Sequence, residues 1–116
     1  MNRIIKFRLR IKGQKGFQYV SLDDFIKDYG LSEQLCTVKV LSRDQFTGVK
    51  DDNGKEIYKG DIVKAKGDEW AILEVKWHPD RGFYILSVVN SVGWWNFPLP
   101  EMEIIGNIYQ NKELLK

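Results

Sequence analysis

The stretch from Phe46 to Lys64, FTGVKDDNGKEIYKGDIVK, constrains this chain more than any other. At its centre stands Asn53-Gly54, the dipeptide best suited to a two-residue type I′ hairpin turn. Both turn positions of that type need φ > 0, which Asn tolerates and Gly accepts without steric cost. Phe46, Thr47 and Val49 precede the turn, Ile57 and Tyr58 follow it, and Gly60 separates the hairpin from a next strand at Ile62-Val63. Asp51, Asp52, Glu56 and Asp61 suggest a cation loop at first sight. The calcium-loop spacing D-x-[DN]-x-[DN]-G, however, needs an acid where Val49 stands. The acids are therefore expected to be solvated turn formers.

On either side of this hairpin the pattern is mostly that of strands. Ile5, Phe7, Leu9 and Ile11 alternate with Lys6, Arg8, Arg10 and Lys12, so one face is apolar and the other basic. Gly13 to Gly16 make a turn, and Phe17 to Val20 form the returning partner. Ser21 opens a short helix over residues 22–29, with Leu22, Phe25, Ile26 and Tyr29 on one stripe and Gly30 as its stop. Leu35 to Leu41 reads as a strand. Strands are also expected at Ile62–Lys66, Trp70–Trp77, Phe83–Val89 and Met102–Tyr109, with Gly106 at a bulge or close approach. In the second of these, Ala71, Leu73, Val75 and Trp77 share a face. Asn111 is placed to cap a last helical turn. Close strand spacing with tight turns predicts an α+β, mainly β fold. Its main part is a small SH3-like β-barrel over about residues 44–110, with an N-terminal hairpin and one short helix. The whole, 1–116, reads as one domain with an N-terminal part (1–43) and a barrel part (44–116).

Composition narrows the setting. With 43% apolar residues and one cysteine, Cys36, the chain can bury a core but cannot form an internal disulfide, which favours a reducing cytoplasm. No apolar run is long enough to span a membrane, and no signal peptide opens the chain. Charge is uneven. Residues 1–50 carry ten Lys or Arg against five acids, and residues 51–116 carry eight against eleven. The first sixteen residues hold six bases and no acid.

Enzymatic chemistry finds little to use. His78 lies in a turn beside Pro79 with no sequence-level nucleophile, and one Cys with one His cannot supply four zinc ligands. The acid pairs Asp23-Asp24 and Asp51-Asp52 lack the apolar surroundings that acid–base work requires. No catalytic residue, metal ligand or cofactor is predicted. The row Lys6, Arg8, Arg10 and Lys12, spaced about 6.6 Å apart along a strand face, could follow phosphates. No aromatic residue interleaves it in sequence, so nucleic acid is the secondary reading. A peptide groove built from the four tryptophans is a third class, although most indoles serve packing. Self-association is expected because Trp70, Ile72, Trp94 and Trp95 place large apolar groups on both faces of their strands.

The segment Gln45-Phe46-Thr47-Gly48 with Asp51-Asp52-Asn53-Gly54-Lys55-Glu56-Ile57-Tyr58-Lys59-Gly60-Asp61-Ile62-Val63 resembles the signature of the YopX family of phage and prophage proteins. Glu103 to Leu115, EIIGNIYQNKELL, is similar to that family's second box, and Ile5-Lys6-Phe7-Arg8 to its start. Lys112 stands where the family often has proline. The resemblance implies a phage or prophage origin and a mostly β fold with a barrel; it brings no catalytic or ligand residue. The expected role is a non-enzymatic accessory protein of the infected bacterium's cytoplasm. It would act on a phage or host protein partner and on copies of itself.

Overall fold

The alternating residues near the start form β1 (Lys6–Ile11), and β2 (Gln18–Ser21) returns antiparallel with Phe7 opposite Val20 and Arg8 opposite Tyr19. The computed structural model describes residues 5–25, 39–66 and 70–115, with Phe25, Lys66 and Trp70 described by backbone alone. Ser21 Oγ accepts the Asp24 N–H at 3.2 Å and starts α1 (Leu22–Phe25), the cap that the sequence predicts. The rest of the expected helix, Cys36, and the start of the strand expected at Leu35 lie outside the described residues.

A single eleven-residue strand, β3 (Val40–Lys50), replaces the expected break after Leu41. Ser42, Arg43, Asp44 and Gln45 look like a polar connection in sequence. They stay extended because they pair with β1, with Asp44 opposite Arg8 and Gln45 opposite Phe7. The chain divides into two compact units, Met1–Gly48 and Val49–Lys116. In the first, β1 lies between β2 and β3. Past Gly48, whose φ is +91°, β3 runs on and takes β4 (Glu56–Tyr58) as its next neighbour in the four-stranded sheet.

The second unit is built on β5 (Asp61–Lys66), β6 (Trp70–His78), β7 (Phe83–Val88), β8 (Trp94–Asn96) and β9 (Met102–Asn107). Their order is β8-β7-β6-β5-β9, antiparallel throughout, so the first four form a meander and the last returns to pair with the first. Val63, Ala65, Leu73, Val75, Leu86 and Met102 are buried on one face and make the core together with Ile57 and Tyr84. Leu73 and Val75 enter it as their alternation predicts. Trp77 shares their face but sits at the strand end, 42% exposed, with its ring on the edge of Tyr84 at 4.9 Å. A register shift on β9 sets Ile62 opposite Gly106 and Val63 opposite Ile104, the bulge expected at Gly106. Asn111 precedes a single 3-10 turn, Lys112–Leu115. The fold is mainly β, as predicted, in two antiparallel sheets. Among the described residues no ladder joins β8 to β9, so the five strands form an open sheet rather than a closed ring.

Candidate functional site

The acids at the hairpin tip are structural. Asp51 Oδ1 accepts the N–H groups of Asn53 and Lys55, both at 2.9 Å, and Oδ2 accepts that of Ile104 at 3.0 Å. Asp52 accepts from Met102 N and donates its own N–H to Met102 O at 2.9 Å. Asp51 is buried, which corrects the expectation that it is solvated, while Asp52 is exposed as expected of a turn acid. Burial by itself pushes its carboxyl up. The hydrogen bonds from Ile104, Lys55 and Asn53, with the Lys55 charge, outweigh that and hold it below the ordinary 3.8. The turn also differs from the predicted type I′. Gly54 N donates to Asp51 O and Asp51 N to Lys55 O; Gly54 has φ +81°, while Asn53 is not among the residues of positive φ. This is the three-residue hairpin, a type I turn followed by a left-handed glycine. The Asx bond from Asn53 N to Asp51 Oδ1 favours it over I′.

The second family-like box is structural too. Asn107 Oδ1 accepts from Tyr109 N and Gln110 N, and Asn111 Oδ1 accepts from Asn107 N. Asn111 thus turns its side chain back to β9, and its carbonyl accepts Leu114 N to open the 3-10 turn. A Cβ on Gly106 would stand 2.6 Å from Asn111 Cγ, which explains glycine there. Asp61, also buried, accepts Tyr58 N at 2.8 Å across the Gly60 turn.

What remains for contact with other molecules lies elsewhere. On the outer face of the five-stranded sheet, away from the core, register brings Ile72, Glu74 and His78 of β6 together with Phe83, Ile85 and Ser87 of β7 and Trp94 of β8. Ile72, Phe83 and Trp94 are each about 40% exposed. Trp94 meets His78 edge-on at 5.5 Å and Phe83 at 6.3 Å, with Ile85 buried on the same face. Beside this cluster is a cavity of about 470 Å³ lined by Glu74, Lys76, Ser87, the loop from Val88 to Val92, and Leu115. Burial pushes the Glu74 carboxyl above its ordinary 4.5, and Lys76, at 4.0 Å, and Lys59 offset part of that. His78, four residues along the strand, is about 13 Å away by strand rise, too far to share a proton with Glu74. Among the described residues, no group of three His, Cys, Asp or Glu side chains could hold a metal ion.

Of the residues expected to drive self-association, Ile72 and Trp94 share this face, Trp95 points to the core, and the side chain of Trp70 lies outside the described set. The basic row of β1 is not the evenly solvated line of bases that the sequence suggests. Arg8 is 4% exposed; its Nε reaches Asp44 Oδ2 at 3.5 Å and its guanidinium lies over the Phe17 ring at 4.3 Å. Lys6 Nζ sits over the Phe46 ring at 4.9 Å, Arg10 is half-buried, and Lys12 is exposed. The aromatic residues missing from the row in sequence are supplied by β3, which carries Phe46, and by Phe17 just before β2.

No helix among the described residues is long and apolar enough to cross a membrane. The family model described as YopX protein matches residues 7–116, almost the whole chain. No curated protein matches. Among solved structures, the crystal structure of protein EF1440 from Enterococcus faecalis is similar over 99% of this chain and 100% of its own, with a TM-score of 0.55 and 20% identity. At that identity the likeness is one of fold.

Proposed function

Because this chain belongs to the YopX protein family, we propose that it is a non-enzymatic accessory protein of a phage or prophage, acting in the cytoplasm of the infected bacterium by binding protein. The observation that carries this reading is the aromatic face of Ile72, Phe83 and Trp94, exposed on a sheet whose opposite face already makes the core. Large exposed aromatics grouped on one face favour association, and Trp is prominent at interface centres. Glu74 and Lys76 leave that face without net charge, which suits a second copy of this chain as well as a phage or host protein. A non-enzymatic role draws support from the acids of the hairpin, whose oxygens hold backbone amides rather than a reacting group. An SH3-like arrangement is the finer reading of the fold. A four-strand meander whose fifth strand returns to the first supports it.

Affinity capture from infected cells, with and without nuclease, tests the role. A protein partner that survives nuclease and is lost with Trp94→Ser is the expected result. Capture of nucleic acid alone would overturn it.

A further inference from the structure

The first unit gathers cations that sequence separates. β1 ends at Ile11, and Lys12 N donates to Lys39 O at 2.9 Å, so the backbone entering β3 lies against the β1–β2 turn. That turn carries Lys15, and Lys12, Lys15 and Lys39 are all exposed. Arg10, the next residue back on β1, faces Ser42 of β3. The described acids of this unit are Asp23 and Asp24 at α1 and the buried Asp44, which is engaged with Arg8. One end of the sheet is therefore cationic without a described acid beside it.

Aromatic surface adjoins it. β2 begins directly after the cationic turn, and Tyr19, 57% exposed, stands beside Phe17 with ring centroids 6.3 Å apart. The Arg8 guanidinium lies over Phe17 and stiffens that ring from one side. A flexible polyanion carrying flat, unstacked rings fits this pairing: phosphates at the lysines and a base on Tyr19. A duplex keeps its bases stacked and offers the tyrosine nothing. We infer that the Lys12, Lys15 and Lys39 end of the first unit binds single-stranded nucleic acid, with Tyr19 as the stacking platform. The phosphate contacts are not Lys6 and Arg8, because Arg8 is already engaged with Asp44; Tyr19, opposite Arg8 in the β1–β2 register, borders that face from the side of β2. It goes beyond the protein-binding role proposed above and uses different residues.

The purified full chain is titrated into a labelled oligothymidylate of about 20 nucleotides, longer than a single small-module site, and anisotropy is followed from about 50 to 200 mM salt. Binding should weaken steeply with salt. Replacing the three exposed lysines (Lys12→Ser, Lys15→Ser and Lys39→Ser) should flatten the log–log salt slope by about 2, at roughly 0.7 per single-strand phosphate contact. Tyr19→Ala should weaken binding about tenfold at unchanged slope. Trp94→Ser should bind as the parent does, which separates this site from the protein-binding face. Absence of salt-dependent binding by the parent chain would overturn the inference. So would a triple variant with the parent's slope, a Tyr19→Ala chain of parental affinity, or a duplex bound as tightly as the single strand. Matching melting curves establish that the variants are folded.

Discussion

The two edges of the five-stranded sheet are finished in opposite ways. At β9 the main chain is held by side chains from 50 or more residues away: Ile104 N by Asp51 and Met102 N by Asp52. At β8 the edge strand has three residues and is soon followed by Pro98 and Pro100, with Trp94 exposed on its outer face. An edge whose donors are occupied cannot template another strand, whereas a short edge guarded by proline still presents its side chains. One edge is closed for stability and the other left available for contact. Acidic residues in a turn can thus act as edge protection, a role that composition alone assigns to solvent.

If that contrast holds, the largest loss should follow Asp51→Ala, which strands three amide donors. A destabilisation of about 2–4 kcal/mol in urea melts is expected, since buried donors left without partners cost about 1–3 kcal/mol each and water repays part. The same carboxylate predicts a pH effect. Its folded value lies below the unfolded one, so its contribution is full above about pH 4 and is lost as pH falls through the folded value. Asp51→Asn should flatten that acid limb. Gly106→Ala should cost about 2–3 kcal/mol by crowding Asn111. Adding Asn111→Ala should give less than the sum of the two losses. Gly54→Val should cost about 1–2 kcal/mol from backbone strain alone, because the space around it is open. At the β8 edge, Trp94→Ser should change monomer stability by less than about 1 kcal/mol, as expected for a half-exposed side chain. Light scattering should find the parent heavier than 13.6 kDa at micromolar concentration and the variant at that mass. A parent that is already monomeric would remove self-association from the comparison. The smallest effect belongs to Glu74. Its folded value is raised, so the parent loses stability as pH climbs from about 4.5 through the folded value. Glu74→Gln should remove that decline, modestly because the charges of Lys76 and Lys59 already offset part of the burial.

What could be read from sequence was local. The alternation of β1, the Ser21 cap, the glycine bulge at 106 and the buried face of Leu73 and Val75 each depend on neighbours within a few residues. What could not be read depends on distant partners. Arg8 looks like one of four equivalent bases until Asp44, 36 residues on, pairs with it. Asp51 looks like a solvated turn acid until Ile104 donates to it. The polar run from Ser42 to Gln45 hides a strand because its extended state is paid for by pairing with β1. For the candidate site, exposed tryptophan was legible as excess apolar surface, but the choice of Trp94 over Trp95 needed the register of β8. At the cationic end, the bases around Lys12 and Lys15 were legible, but Lys39 was not, since it approaches Lys12 only through a backbone contact across 27 positions.

The bonds from Asp51 and Asp52 to β9 also set an order of events at the ribosome. β5 receives its second neighbour, and the hairpin its anchor, only from residues 102–107. Contacts of such long sequence separation close late. As the chain is synthesised, the first unit's β1, β2 and β3 have all emerged before β5 is complete. The second unit must wait with β5 bare along one side until its last strand arrives. The growing chain therefore carries a bare strand edge from the completion of β5 until residues 102–107 arrive, and a nascent chain halted at Pro100 would hold a sheet that cannot shut its own edge.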